Sequence, residues 1–231
     1  MNGSDLFLHT LINEGVQCLF GNPGTTELPF MDALVNEKRI RYYLCLHESI
    51  AIGAAEGYAF ATGGIGAVSL HVAPGLGNAL GMIYNSMRAG TPLLVTAGNQ
   101  STGGQFQEIV LSEDLPRMAA PLVKWSYEVR RIGDLEQAIR RGVKVALTPP
   151  TGPVFLSIPG EILRASSGGI RERPTRIPSA FPAAQEAVEN AARALADAQS
   201  PVIVAGSRVT RSGAEQELVQ LAERMGAKVF G

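Results

Sequence analysis

Short apolar runs, often β-branched, alternate along this chain with longer segments whose apolar positions recur at helical spacing. Residues 16–20, 42–46, 67–71, 93–97, 122–125 and 154–158 predict strands. Residues 5–13, 28–36, 49–61, 77–87 and 135–146 predict the helices between them. Strands that are apolar throughout, rather than alternating, belong in a sheet covered on both faces. The fold class expected is therefore α/β: a doubly wound, mostly parallel sheet with helices on both faces, followed by the beginning of a second α/β domain. In such a sheet ligands bind outside the carboxyl ends of the strands, where loops run into helices.

The periodicity breaks near residue 164. Ala165-Ser166-Ser167-Gly168-Gly169 and the prolines at 174, 178 and 182 have the composition of a linker. Past it, residues 183–198 and 213–225 have helical spacing, and 201–205 and 227–230 read as strands. The division expected is a first domain at 1–164, a linker at 165–182 and an incomplete central domain at 183–231. No fixed-period repeat is visible.

Composition narrows the function classes. The 231 residues are 45% hydrophobic and 18% charged, with a formal net charge of −1. No basic block is present, which argues against nucleic acid and anionic membrane as partners. No apolar run is long enough for a bilayer span, and Met1–Leu6 lacks a basic region leading into an apolar one. Cys18 and Cys45 lie in strand-like runs and read as small buried thiols, consistent with a cytoplasmic protein.

Three loops carry the candidate chemistry. After the first strand comes Gly21-Asn22-Pro23-Gly24-Thr25-Thr26-Glu27, where Thr25 or Thr26 can cap the next helix and present a hydroxyl to a ligand. After the second comes Glu48, a carboxylate opening a helix of small and apolar residues, Ser49 to Ala61. With so little solvation nearby, its pKa is expected to be raised, and a neutral acid can hydrogen-bond a heterocyclic nitrogen. After the third comes His71-Val72-Ala73-Pro74-Gly75-Leu76-Gly77-Asn78, whose glycine spacing is a poor match to a dinucleotide fingerprint. Each has a bland counterpart: a carboxylate satisfying a helix dipole, a satisfied core histidine, ordinary turns, and small residues serving close helix packing. Convergence of Thr25, Glu48 and His71 on one sheet edge favours a site.

Residues 16–30, 46–59, 68–81 and 91–108 resemble the N-terminal, pyrimidine-binding domain of thiamine-diphosphate enzymes of the benzoylformate decarboxylase and acetolactate synthase family. Phe20-Gly21-Asn22-Pro23-Gly24-Thr25, Leu70-His71 and Pro121–Glu128 are closer to benzoylformate decarboxylase. His47-Glu48, Pro74-Gly75 and Phe106-Gln107-Glu108 are similar to acetolactate synthase. From Pro201 the chain resembles the start of the family's central domain.

The resemblance implies a role for each matching residue. Glu48 would hydrogen-bond the ring nitrogen of the cofactor's aminopyrimidine, promoting the tautomer that generates the thiazolium ylid for attack on a 2-oxo acid. Asn22, Pro23 and Gly24 would wall the reacting centre, and Pro74, Gly75 and Asn78 would lie against the pyrimidine. Thr25, His71 and Gln107 would face substrate, with His71 moving protons. The family places this glutamate across a subunit interface, so a homodimer or dimer of dimers is expected. Mg2+ would be held by a C-terminal domain bearing a Gly-Asp-Gly motif, which these residues do not contain; Gly133-Asp134-Leu135 is its nearest approach. FAD is possible in the complete protein. The alternatives are a subunit of a split enzyme and a non-catalytic Rossmann-type nucleotide-binding or assembly module.

Overall fold

The structure is a computed structural model that describes residues 1–107, 109–169, 174, 177 and 182–231. It divides into two compact units, Met1–Ile177 and Pro178–Gly231.

In the first unit the elements run α1 (Gly3–Asn13), β1 (Cys18–Gly21), α2 (Leu28–Leu34), β2 (Arg41–Leu44), α3 (Glu48–Thr62), β3 (Gly66–Leu70), α4 (Val72–Ala89) and β4 (Leu93–Asn99). They continue with α5 (Leu115–Ala119), β5 (Ser126–Glu128), α6 (Ile132–Leu147), β6 (Val154–Pro159) and α7 (Gly160–Arg164), with short 3-10 turns at Thr102–Gln107 and Ala120–Leu122. The six strands form one sheet in the order β2-β1-β3-β4-β6-β5, and every neighbouring pair is parallel. The chain steps outward from β1 to β2, then returns past β1 to β3, so β1 and β3 flank the reversal of strand order where such sheets bind ligands.

Side chains alternate across the sheet as the two-residue strand period requires. Ala67, Leu94, Leu156 and Val154 join one core with Phe7, Leu11, Ile139 and Val143 of α1 and α6. Val68, Val95 and Phe155 join the other with Ala51, Ile52, Ala55, Leu76 and Ile83 of α3 and α4. Strands β3, β4 and β6 are buried along their whole length. That is why their sequences are apolar throughout.

Three expectations are corrected. Helix α4 begins at Val72, five residues before the predicted start, so the glycine-rich segment is helix rather than loop. Pro74 is tolerated because the first turn needs no intrahelical N–H donor. The strand expected at 122–125 lies at Ser126–Glu128, because residues 120–122 make a 3-10 turn. The helix expected at 213–225 starts at Glu215, because Gly213 ends a separate short helix in the left-handed region at φ 64°.

The second unit contains α8 (Gln185–Ala196), β7 (Val202–Val204), α9 (Arg208–Ser212), α10 (Glu215–Met225) and β8 (Lys228–Phe230). Its two strands are parallel. None of its described residues is buried, and Val188, Val204, Val219 and Phe230 are exposed. Much of the segment expected to be a linker lies outside the described residues. Among the described residues, no helix is long and apolar enough to cross a membrane.

Candidate functional site

The loops leaving β1, β2 and β3 meet at the strand-order reversal. Helix α3 opens with Glu48, and its N-cap is His47, whose Nδ1 accepts from the Ser49 N–H at 3.2 Å. Anchored in that first turn, the Glu48 carboxylate is buried, only 6% exposed. Asn22, from the loop after β1, donates its side-chain amide to Oε1 at 3.2 Å. Asn78, from the second turn of α4, donates to Oε2 at 3.0 Å. Gly75, one turn before Asn78, flanks the carboxylate closely: a Cβ there would sit 3.3 Å from Oε1. Three segments far apart in sequence thus converge on one carboxylate.

The expectation of a raised Glu48 pKa is overturned. Burial is the largest single influence and does push it up. The Asn78 amide, the residue's own backbone N–H, the Asn22 amide and the nearby His47 together outweigh it, leaving Glu48 below the ordinary glutamate value. Glu48 is therefore an ionised acceptor in this state, held by neutral donors.

A second cluster lies beside it. His71 is the N-cap of α4, directly after β3, and its side chain makes no capping hydrogen bond. Its Nδ1 lies 2.8 Å from Glu27 Oε2 and 3.2 Å from Thr26 Oγ1. The ring covers Gly24 so closely that a Cβ on that residue would overlap it. Val72, next in the chain, is buried with a positive φ of 43°. For a β-branched residue that is an outlier, the kind of local strain found where a fold fixes the direction of a site.

The sequence-predicted residues divide accordingly. Asn22, Glu48, Gly75 and Asn78 form one contact group, and Gly24 and His71 form another. Pro23 is half-buried and Pro74 exposed within the same segments. Thr25 is exposed, and neither it nor Thr26 caps α2, whose N-cap is Glu27 with no side-chain cap bond. Thr26 instead donates to the Glu27 carboxylate at 2.6 Å. Gln107 is exposed at the end of the 3-10 turn with no hydrogen bond to these groups, and Glu108 lies outside the described residues. Sequence reasoning assigned no role to Glu27, the most buried carboxylate at this edge. A cavity of about 830 Å3 beside β5, lined by Glu113, Tyr127, Glu128 and Arg130, includes none of the candidate residues. The convergent side chains, not that volume, mark the site.

The small-residue stripe on α3 splits into two faces. Ala51, Ala55 and Ala59 turn inward against the sheet, while Gly57 and Ala61 turn outward beside exposed Ile50 and Phe60.

The chain is similar to known proteins over most of its length. Residues 1–114 match the family description "Thiamine pyrophosphate enzyme, N-terminal TPP binding domain", and residues 188–231 match "Thiamine pyrophosphate enzyme, central domain". The chain is 36% identical over 219 residues to benzoylformate decarboxylase from Pseudomonas aeruginosa, covering 93% of this chain and 41% of that protein. It is 31% identical over 238 residues to the acetolactate synthase large subunit of Buchnera aphidicola, covering 99% of this chain and 41% of that protein. Among solved structures, the thiamine diphosphate-dependent 4-hydroxybenzoylformate decarboxylase of Rhodococcus jostii superposes with a TM-score of 0.90 at 34% identity. That match covers 99% of this chain and 44% of the other. The chain therefore spans less than half the length of these relatives.

Proposed function

The chain belongs to the thiamine pyrophosphate enzyme family, and from that premise we propose that it is the N-terminal part of a thiamine-diphosphate-dependent enzyme acting on 2-oxo acids, by decarboxylation or by carboligation. One observation carries the proposal. Glu48 is a buried carboxylate at a helix start, oriented by two asparagine amides and flanked by a glycine that leaves it uncrowded.

The residues present fit the pyrimidine half of the cofactor. A carboxylate whose two oxygens are already fixed presents a defined acceptor to a protonated ring nitrogen. Pro74, Gly75 and Asn78 on α4 would lie along the ring, and Asn22, Pro23 and Gly24 would wall the reacting centre. The cofactor, once bound, would supply the carbon nucleophile and electron sink that 2-oxo acid chemistry needs. Glu48 begins ionised. Covering it with a heterocycle removes water and raises its proton affinity, so a proton can be shared along the new hydrogen bond. His71, at Nε2, would take or give a proton on the substrate side. Thr25 and Gln107 are proposed to face substrate on their sequence match, and their exposure leaves them accessible.

Mg2+ and the diphosphate would be held by residues other than these 231. Among the described residues no group of three His, Cys, Asp or Glu side chains could hold a metal ion. An acetolactate synthase-like activity would add FAD. The outward face of α3, with Gly57, Ile50 and Phe60, supports a second copy of the same chain as partner, giving a homodimer or dimer of dimers with the active site at the interface.

The test is Glu48→Gln in the complete enzyme. Turnover should fall by about 100-fold or more, the usual scale for removing a general acid–base group, with little change in thermal stability. Near-normal turnover would remove Glu48 from the mechanism.

A further inference from the structure

We propose that Glu27 is a positioning residue that fixes the proton of His71 on Nδ1 and so leaves Nε2 as the working nitrogen. The placement of protons follows from donor counting. Thr26 has one hydroxyl proton, and it points at Glu27 Oε1 across 2.6 Å. Toward His71 Nδ1, 3.2 Å away, Thr26 then offers only a lone pair. Glu27 Oε2, at 2.8 Å, offers another. A bare Nδ1 would face two acceptors and no donor, so Nδ1 carries hydrogen. In the neutral ring the lone pair is then at Nε2, which makes no hydrogen bond to any described residue.

Glu27 is itself immobilised. It is 1% exposed. Oε1 accepts from the Thr26 hydroxyl and from the Gly98 N–H at 2.9 Å, and Oε2 from the Gly24 N–H at 2.8 Å and from His71. Two of these four donors are backbone groups, from the loop after β1 and the end of β4, and neither can rotate away. A Cβ on Gly98 would overlap Glu27 and Thr26, just as one on Gly24 would overlap the imidazole. The ring is pinned at its edge by a carboxylate and on its face by a glycine.

The consequence rests on the proposed role of His71, although the tautomer does not. Neutral His71 would accept a proton from a ligand at Nε2, and the imidazolium would return it from the same atom. The Nδ1 proton stays in place throughout, and Glu27 does not change protonation.

These residues include three histidines, at 9, 47 and 71, and nitrogen NMR of the 15N-histidine-labelled complete protein reads the ring, with H71Q identifying the His71 signals by difference. Neutral His71 should show the Nδ1–H tautomer in the wild type. In E27Q, an amide cannot accept all four donors, and the Nε2–H form should rise at least severalfold. G98A, which does not touch His71, should do the same by displacing Glu27. A wild-type His71 protonated on Nε2 overturns the proposal. So does an unchanged Nδ1–H form in folded E27Q and G98A. Should E27Q fail to fold, T26V, which keeps the carboxylate, must retain the Nδ1–H form, and its loss there would equally overturn the proposal. Normal turnover in Glu48→Gln with Nδ1–H intact would instead defeat the functional reading and leave this inference standing.

Discussion

Glu48 and Glu27 are both buried glutamates on one edge of one sheet, and they are held differently. From elsewhere in the fold Glu48 receives only two side-chain amides, Asn22 and Asn78, beside its own backbone N–H, and it retains a small exposed edge. Glu27 receives two backbone N–H groups, a hydroxyl and an imidazole, and is closed from solvent. Side-chain donors can adjust by rotation as a ligand arrives, whereas backbone donors are fixed by the strands that carry them. The contrast separates a carboxylate that can receive something from one that holds something else in place.

The sharpest way to break this contrast is to compare stability losses. Glu27→Ala strands several buried donors together and should cost about 3 kcal/mol or more, on the scale of breaking a buried, hydrogen-bonded pair. Glu48→Gln keeps the shape and one acceptor and should cost about 1 kcal/mol or less. Equal shifts in denaturant midpoint for the two variants would erase the distinction. Next in size is Gly75→Ala. Its Cβ would press on Glu48 Oε1 from 3.3 Å, so thiamine diphosphate binding by the complete enzyme, read by titration calorimetry, should weaken about tenfold, or roughly 1.4 kcal/mol. Unchanged affinity would mean that the carboxylate moves aside at no cost.

The smallest effect is in the acid limb. Folded Glu48 lies below its ordinary value of 4.5. It therefore contributes stability above that pH and loses the contribution as pH falls through its lowered folded value. Asn22→Ala combined with Asn78→Ala removes two of the groups that lower it. The double variant should be less stable than wild type at neutral pH, and the difference should shrink in acid. Parallel stability curves from pH 7 to pH 3 would show that the asparagines do not hold the charge.

What the sequence disclosed follows the range of the forces involved. Strands β3, β4 and β6 were legible because burial on both faces leaves continuous apolar runs. Strand β5 was not, since Ser126-Tyr127-Glu128 is a half-buried edge strand and only the first residue of the more apolar run before it lies in the 3-10 turn, the rest leading into the strand. The start of α4 was hidden by Pro74 and Gly75, which read as loop. Glu48 was visible as an acid among small residues, yet the direction of its pKa was misread because its donors stand 26 and 30 residues away. Glu27 carried no signal in the sequence. Its decisive partners, His71 and Gly98, are 44 and 71 residues distant, and only the strand order brings them together.

The three glycines at 24, 75 and 98 have a consequence at the level of the gene. Any missense change at those codons adds at least one carbon, and each added carbon is directed at His71, Glu48 or Glu27. Random mutation can therefore disturb these three side chains without altering any of them, through residues that carry no side chain of their own.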